Sequence, residues 1–243
     1  MNNKQILPSP CFVCEESLLE ANLQLLEHIQ NETGVKILLA LKGFAMHSTF
    51  DICKKYLKGC CASGLNEAIL AYEEFGSEVH TYSPAFKDNE FDKIAQISNH
   101  IVFNSHAQYD TFKDRLLSNN SVGLRINPQF SSVEVDLYNP CGINSRLGIV
   151  KNNFKAYSID NIDGLHFHAL CEQNVDALEG VLNKFIQNFG EYFKDLKWVN
   201  FGGGHHITRA DYDVKRLIEV LKDFKEKYPH LDVYMEPGEA IGW

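Results

Sequence analysis

The chain has 243 residues, is 44% hydrophobic and 23% charged, and carries a formal net charge of −9 at pH 7. This length buries one large core and suits a single α/β barrel of about 250 residues. The acidic balance argues against a nucleic-acid partner, which calls for a basic surface, and does not oppose a cationic substrate, which an acidic field attracts.

No stretch approaches the ~20 consecutive apolar residues of a membrane helix. The opening MNNKQILPSPCFVCEE lacks the apolar core of an export signal. Seven cysteines, an odd number without dense spacing, point to a reducing compartment, so a cytoplasmic protein with no membrane partner is expected. The Cys11–Cys14 CxxC has no second CxxC to complete a zinc site, and the adjacent Cys60–Cys61 pair reads as ordinary thiols.

Taken in chain order, residues 9–15 read as a strand that precedes the first helix. Eight β-rich runs then follow: KILLALK (36–42), GCCAS (59–63), EVHTY (78–82), HIVFN (100–104), VGLRIN (122–127), GLHFHAL (164–170), WVNFGGG (198–204) and DVYMEPG (232–238). Amphipathic stretches separate them, among them 66–75, 175–189 and 212–228, with Val214, Leu217, Leu221 and Phe224 at helical spacing in the last. Strands alternating with helices make a parallel sheet, and eight is the number that closes a TIM (β/α)8 barrel. FSSVEVDLYNPCGINSRLG, between the fifth and sixth strands, is an elaborated loop. GEAIGW leaves no closing helix after the eighth strand. One barrel domain over 1–243 is therefore expected, with residues 9–15 belonging to a second, C-terminal β-rich domain whose bulk lies beyond 243.

A barrel carries its active site at the C-terminal ends of its strands. Side chains alternate along a strand, so residues two apart share a face. On this parity, Lys42, His80 with Tyr82, Arg125 with Asn127, His166 with His168, and Tyr234 with Glu236 gather at that end. Lys42 follows the apolar run ILLAL; such a lysine either exits into solvent or, where burial lowers its pKa, forms a Schiff base with a carbonyl. The glycines of FGGGHH leave backbone N–H groups free for a phosphate or merely make a tight turn. Glu236 in YMEPG either holds the Pro-Gly turn or faces a protonated pyridine nitrogen. His168 stacks on such a ring or joins a metal site.

Together these residues resemble the alanine-racemase-like barrel class of pyridoxal-phosphate enzymes, in its decarboxylase branch. The resemblance runs the length of the chain, through ALKGF with Lys42, SGLNE with Glu67, RINP with Arg125, NSRLG with Arg146, HFHAL with His168, FGGG at 201–204 and EPGEA at 236–240. Within that branch the carboxynorspermidine (carboxyspermidine) decarboxylases are the most similar family. The resemblance implies that Lys42 binds pyridoxal 5'-phosphate, that His168 stacks on its ring, and that Glu236 meets its nitrogen. It further implies that Gly203, Gly204 and Gly238 hold the phosphate, with Glu67, Arg125 and Arg146 as further cofactor contacts. It implies a homodimer with shared active sites and a carboxylated polyamine as substrate. Relatives acting on ornithine or diaminopimelate read EPGR; here the fourth position is Glu239, which favours a substrate presenting an amine. The rival readings are a diaminopimelate or ornithine decarboxylase, a non-enzymatic pyridoxal-phosphate carrier, and a metal-dependent barrel hydrolase using His166, His168, His205 and His206.

Overall fold

The computed structural model describes residues 8–133, 135–155 and 157–243. Eight parallel strands close into a barrel in chain order: β1 (Lys36–Ala40), β2 (Gly59–Ala62), β3 (Glu78–Ser83), β4 (His100–Phe103), β5 (Ser121–Arg125), β6 (Gly164–His166), β7 (Trp198–Asn200) and β8 (Asp232–Met235). Pairing of Lys36 with Tyr234 and of Ile37 with Met235 seals β1 to β8. The eight strands stand where the alternating pattern places them.

The helices are α1 (Glu16–Thr33), α2 (Phe50–Cys53), α3 (Leu65–Leu70), α4 (Asp88–Ile97), α5 (His106–Phe112), α6 (Lys151–Phe154), α7 (Val175–Phe189), α8 (Val214–Lys227) and α9 (Glu239–Gly242). In α7, Leu178, Val181, Leu182, Phe185 and Phe189 recur at helical spacing and are buried. Each such side chain contributes about 1.5–3 kcal/mol of apolar burial. No helix among the described residues is long and apolar enough to cross a membrane.

Strand alternation divides the buried apolar residues into two bodies. Outward-facing residues such as Ile37, Leu39, Val79, Ile101, Leu124, Leu165, Val199 and Met235 join the helices in the main core. Inward-facing Leu38, Val102, Trp198 and Tyr234 form a separate cluster inside the barrel. Trp198 fills this interior because β5 and β6 lack side chains beside it. A Cβ on Gly164 would come within 2.0 Å of its ring, and one on Gly123 within 2.3 Å.

One expectation from the sequence changes here. A four-residue helix, α9, does follow β8, and α1 packs against both α8 and α9 to complete the outer ring. Asn22 secures this closure by donating from Nδ2 to the carbonyls of Ile241 (3.2 Å) and Trp243 (3.0 Å). Residues 9–15 are irregular, with Phe12 and Val13 exposed.

Candidate active site

The C-terminal ends of the strands surround a cavity of about 360 Å³ lined by Lys42, His168, Gly204, Glu236, Gly238 and Glu239, among others. Lys42 sits on a turn beyond β1, because the N–H groups of Gly43 (3.0 Å) and Phe44 (3.1 Å) fold back to the Ala40 carbonyl. That turn lies against the loop after β8. A Cβ on Gly43 would meet the Gly238 Cα at 2.9 Å, so the two glycines let the backbones touch.

Glu236 is anchored from several directions. Asn200 Nδ2 donates to its Oε1 at 2.7 Å, while Asn200 Oδ1 accepts the N–H of Gly202 at 2.8 Å. His166, itself buried, places Nε2 3.5 Å from Oε2. Burial on its own would raise the Glu236 carboxyl. The neighbouring His166, with Lys42 and His168, outweighs it and holds the group well below the usual carboxylate range. A fixed anion therefore stands at the cavity wall.

His168 is its neutral counterpart. Burial, reinforced by Lys42 and Arg125, pushes its imidazole well below the usual histidine range. Its Nδ1 accepts the Gly203 N–H at 3.0 Å, so the proton of the neutral ring resides on Nε2. Gly203 thus spends its N–H on orienting His168, whereas Gly204 and Gly238 line the cavity. Gly204 has φ +87°, and a Cβ there would strike the Leu170 carbonyl at 2.0 Å. Arg125 lies beneath this layer, buried, donating to the His168 carbonyl at 3.1 Å and stacking over Tyr82 at 4.8 Å.

The structure does not bring every candidate to this cavity. Glu67 accepts the Ser63 N–H at 2.7 Å and lines a different recess, between α3 and the loop after β3. Arg146 lies on the exposed loop between β5 and β6, beside another recess with Asn139 and Ile143. Glu239 lines the cavity and also meets His206 Nε2 at 3.2 Å.

His80 and Tyr234, expected at the mouth, belong to the opposite end. His80 stacks on His100 at 3.9 Å and 8°, and Tyr234 packs on both rings while accepting a hydrogen bond from Lys36. Parity assigned them to the interior but not to a height within it. Glu78, His80 and His100 place donor atoms within 4.8 Å of one another. Stacked imidazoles, however, direct their in-plane lone pairs in parallel rather than towards one ion. Among the described residues, His166, His168, His205 and His206 form no such group; His205 faces the Tyr212 hydroxyl at 3.4 Å, and His206 faces Glu239.

Sequence reasoning missed Asn200, Glu172, Tyr138 and Cys171. Asn200 was within reach, since it lies two residues before the glycine run and so shares Gly202's side of the strand. Cys171 and Glu172 sit on a loop and Tyr138 on a single 3-10 turn, where no periodicity reports which way a side chain points.

No family model matches the chain. A carboxynorspermidine/carboxyspermidine decarboxylase of Campylobacter jejuni is 51% identical over 237 residues, 98% of this chain and 62% of that protein. A crystal structure of carboxynorspermidine decarboxylase from Campylobacter jejuni, complexed with norspermidine, superposes with a TM-score of 0.91 at 49% identity, covering 98% of this chain and 61% of that one. The chain is homologous to the barrel portion of these decarboxylases. It spans about 62% of the length of the curated relatives it matches. Another of these, a carboxyaminopropylagmatine decarboxylase of Synechocystis, is 44% identical over 98% of this chain and 62% of its own. A lysine decarboxylase from Selenomonas ruminantium solved with PLP and cadaverine shares the fold, at a TM-score of 0.74 and 17% identity, over 97% of this chain and 62% of that one.

Proposed function

We propose that the protein containing this barrel is a pyridoxal-phosphate-dependent decarboxylase that converts carboxynorspermidine or carboxyspermidine to norspermidine or spermidine. The observation that carries the reading is the meeting of Lys42, His168, Glu236 and Glu239 around one cavity. The groups present suit the cofactor: a lysine amine, a carboxylate held anionic, a neutral imidazole, and glycines at positions that a Cβ would close.

In this reading Lys42 is the amine that holds the cofactor's carbonyl carbon, and Gly204 and Gly238 leave room for its phosphate. Pyridoxal phosphate, when bound, supplies an electron sink for the pair left behind as the substrate's carboxylate departs as carbon dioxide. Glu236 keeps a proton on the ring nitrogen, and Asn200 fixes the direction in which that carboxylate faces. His168, oriented by the Gly203 N–H, presents a flat, uncharged ring. Glu239 adds negative charge at the rim, attracting a substrate's amines and repelling a second carboxylate.

Diaminopimelate as substrate is disfavoured by that same charge, and a carrier role by Glu236, since a carrier has no need of a protonated ring nitrogen. Homology with carboxynorspermidine decarboxylases supports the polyamine assignment. The family resemblance extends the proposal to a cytoplasmic homodimer, tested by whether the full-length protein sediments at twice its protomer mass. The deciding experiment is carbon dioxide release from purified full-length protein offered carboxynorspermidine, carboxyspermidine, diaminopimelate and ornithine. Faster turnover of either amino acid than of both polyamines overturns the assignment.

A further inference from the structure

Glu172 carries a backbone φ of +54°, in the left-handed region that residues other than glycine rarely occupy. Such conformations persist where the surroundings over-determine them, and they gather at ligand sites. Here the next residue is clamped: Gln173 donates its N–H to the Gly204 carbonyl at 3.0 Å and accepts the His206 N–H at 3.3 Å, while its Nε2 donates to Ser132 Oγ at 2.9 Å. The clamp ties Glu172 to the glycine run at the mouth. Glu172 lines the Lys42 cavity and also an adjoining recess of about 400 Å³. Tyr138 and Cys171 line both spaces as well, so the two adjoin at Glu172. Val133 and Val135 give the far recess apolar walls. The Cys171 thiol registers the local field: burial raises it first, then the negative charges of Glu172 and Glu239.

We propose that Glu172 is a second amine-reading carboxylate and that the recess beyond it takes the far end of an elongated substrate, so that the site selects by length as well as by charge. This rests on the decarboxylase reading above. A linear triamine has two amines beyond the one at the reacting end, and the rim supplies two carboxylates, Glu239 and Glu172. Its methylene stems suit the walls formed by Tyr138, Val133 and Val135, in the usual pattern of an apolar pocket with a few placed polar groups. Glu172 is a specificity residue on this view and takes no part in bond breaking.

The test uses full-length holoenzyme and calorimetry with two probes, norspermidine and the shorter 1,3-diaminopropane. Glu172→Gln is expected to weaken norspermidine about tenfold to a hundredfold and 1,3-diaminopropane by less than about threefold, as for a lost charge-assisted contact at one end only. KM for the carboxylated triamine should rise by a similar factor while kcat stays within about threefold. Glu172→Gly, which relaxes the backbone, should fail as the glutamine variant does, and Glu172→Asp should recover part of the affinity. A glycine variant that binds norspermidine like wild type overturns the inference, and so does equal weakening of both probes. If wild type binds neither probe, the decarboxylase reading fails with it; tight wild-type binding with equal losses removes only the role of Glu172.

Discussion

The two ends of the barrel interior hold the same kinds of side chain and use them in opposite ways. At the floor, Lys36 pairs with Asp232 at 2.9 Å, its amine lies 5.1 Å from the centre of the Tyr234 ring, and His80 and His100 stack under Trp198. Each polar group there meets a ring or an opposite charge, and the apolar interior cluster sits on top of them. At the mouth, Lys42, His168 and Glu236 instead line a void. A lysine, histidines and a carboxylate are therefore no signature by themselves. What separates structure from site is whether the groups pack on one another or converge on space.

Substitutions at the two ends should separate along this line. The largest effect is expected at Lys42. In full-length protein, Lys42→Ala should abolish the cofactor's visible absorbance and cut turnover by about 10³-fold or more, equivalent to ~4 kcal/mol of barrier, with thermal unfolding nearly unchanged. Borohydride reduction that fixed the cofactor to another lysine would remove Lys42 from the site. Next, Glu236→Gln should retain bound cofactor but lower kcat by about 10²- to 10³-fold, since the electron sink weakens. Near-normal kcat would reduce Glu236 to a turn residue.

At the floor the order of effects should invert. Trp198→Ala opens a void inside the barrel and should cost about 3–5 kcal/mol of stability. Gly164→Ala, whose new methyl collides with that ring, should cost about 1–3 kcal/mol. Denaturant unfolding measures both, and kcat of the surviving folded fraction should hardly move. Loss of kcat without loss of stability would break the contrast between floor and mouth.

A pH series sharpens it further. Burial, then His80 and Lys36, lower the His100 imidazole to about 2. The unfolded chain therefore takes up a proton near pH 6.5 that the folded chain refuses, so this group's contribution is intact above that pH and is lost as pH falls. His100→Phe should flatten the decline by up to ~2 kcal/mol between pH 6.5 and 5, at 1.36 kcal/mol per pH unit for a fully excluded proton. An unchanged slope would show that His100 titrates freely. The smallest effect is expected at the rim, where Glu239→Gln should lower kcat/KM for carboxynorspermidine about tenfold, as for one lost charge-assisted contact, and raise it for diaminopimelate, whose second carboxylate is no longer repelled. Equal losses on both substrates would confine Glu239 to its pairing with His206.

From the residues alone came the barrel, because β-rich runs of period two alternating with helical stretches admit few architectures. From them too came the inward parity of Lys42, His166, His168 and Glu236, since alternation along a strand is a local property of the chain. Height within the barrel was not local. His80 and Tyr234 share the mouth's parity, yet the stagger between neighbouring strands puts them on the floor. Glu67 and Arg146 sit in motifs as distinctive as that of Lys42, but α3, which carries Glu67, and the loop that carries Arg146 face separate recesses. Closure of the helical ring by α1, and the left-handed turn that places Glu172 beside the cavity, depend on contacts between segments far apart in sequence. Periodicity describes a segment against its own axis, whereas a site is a meeting of segments, and only packing in three dimensions decides which of them meet.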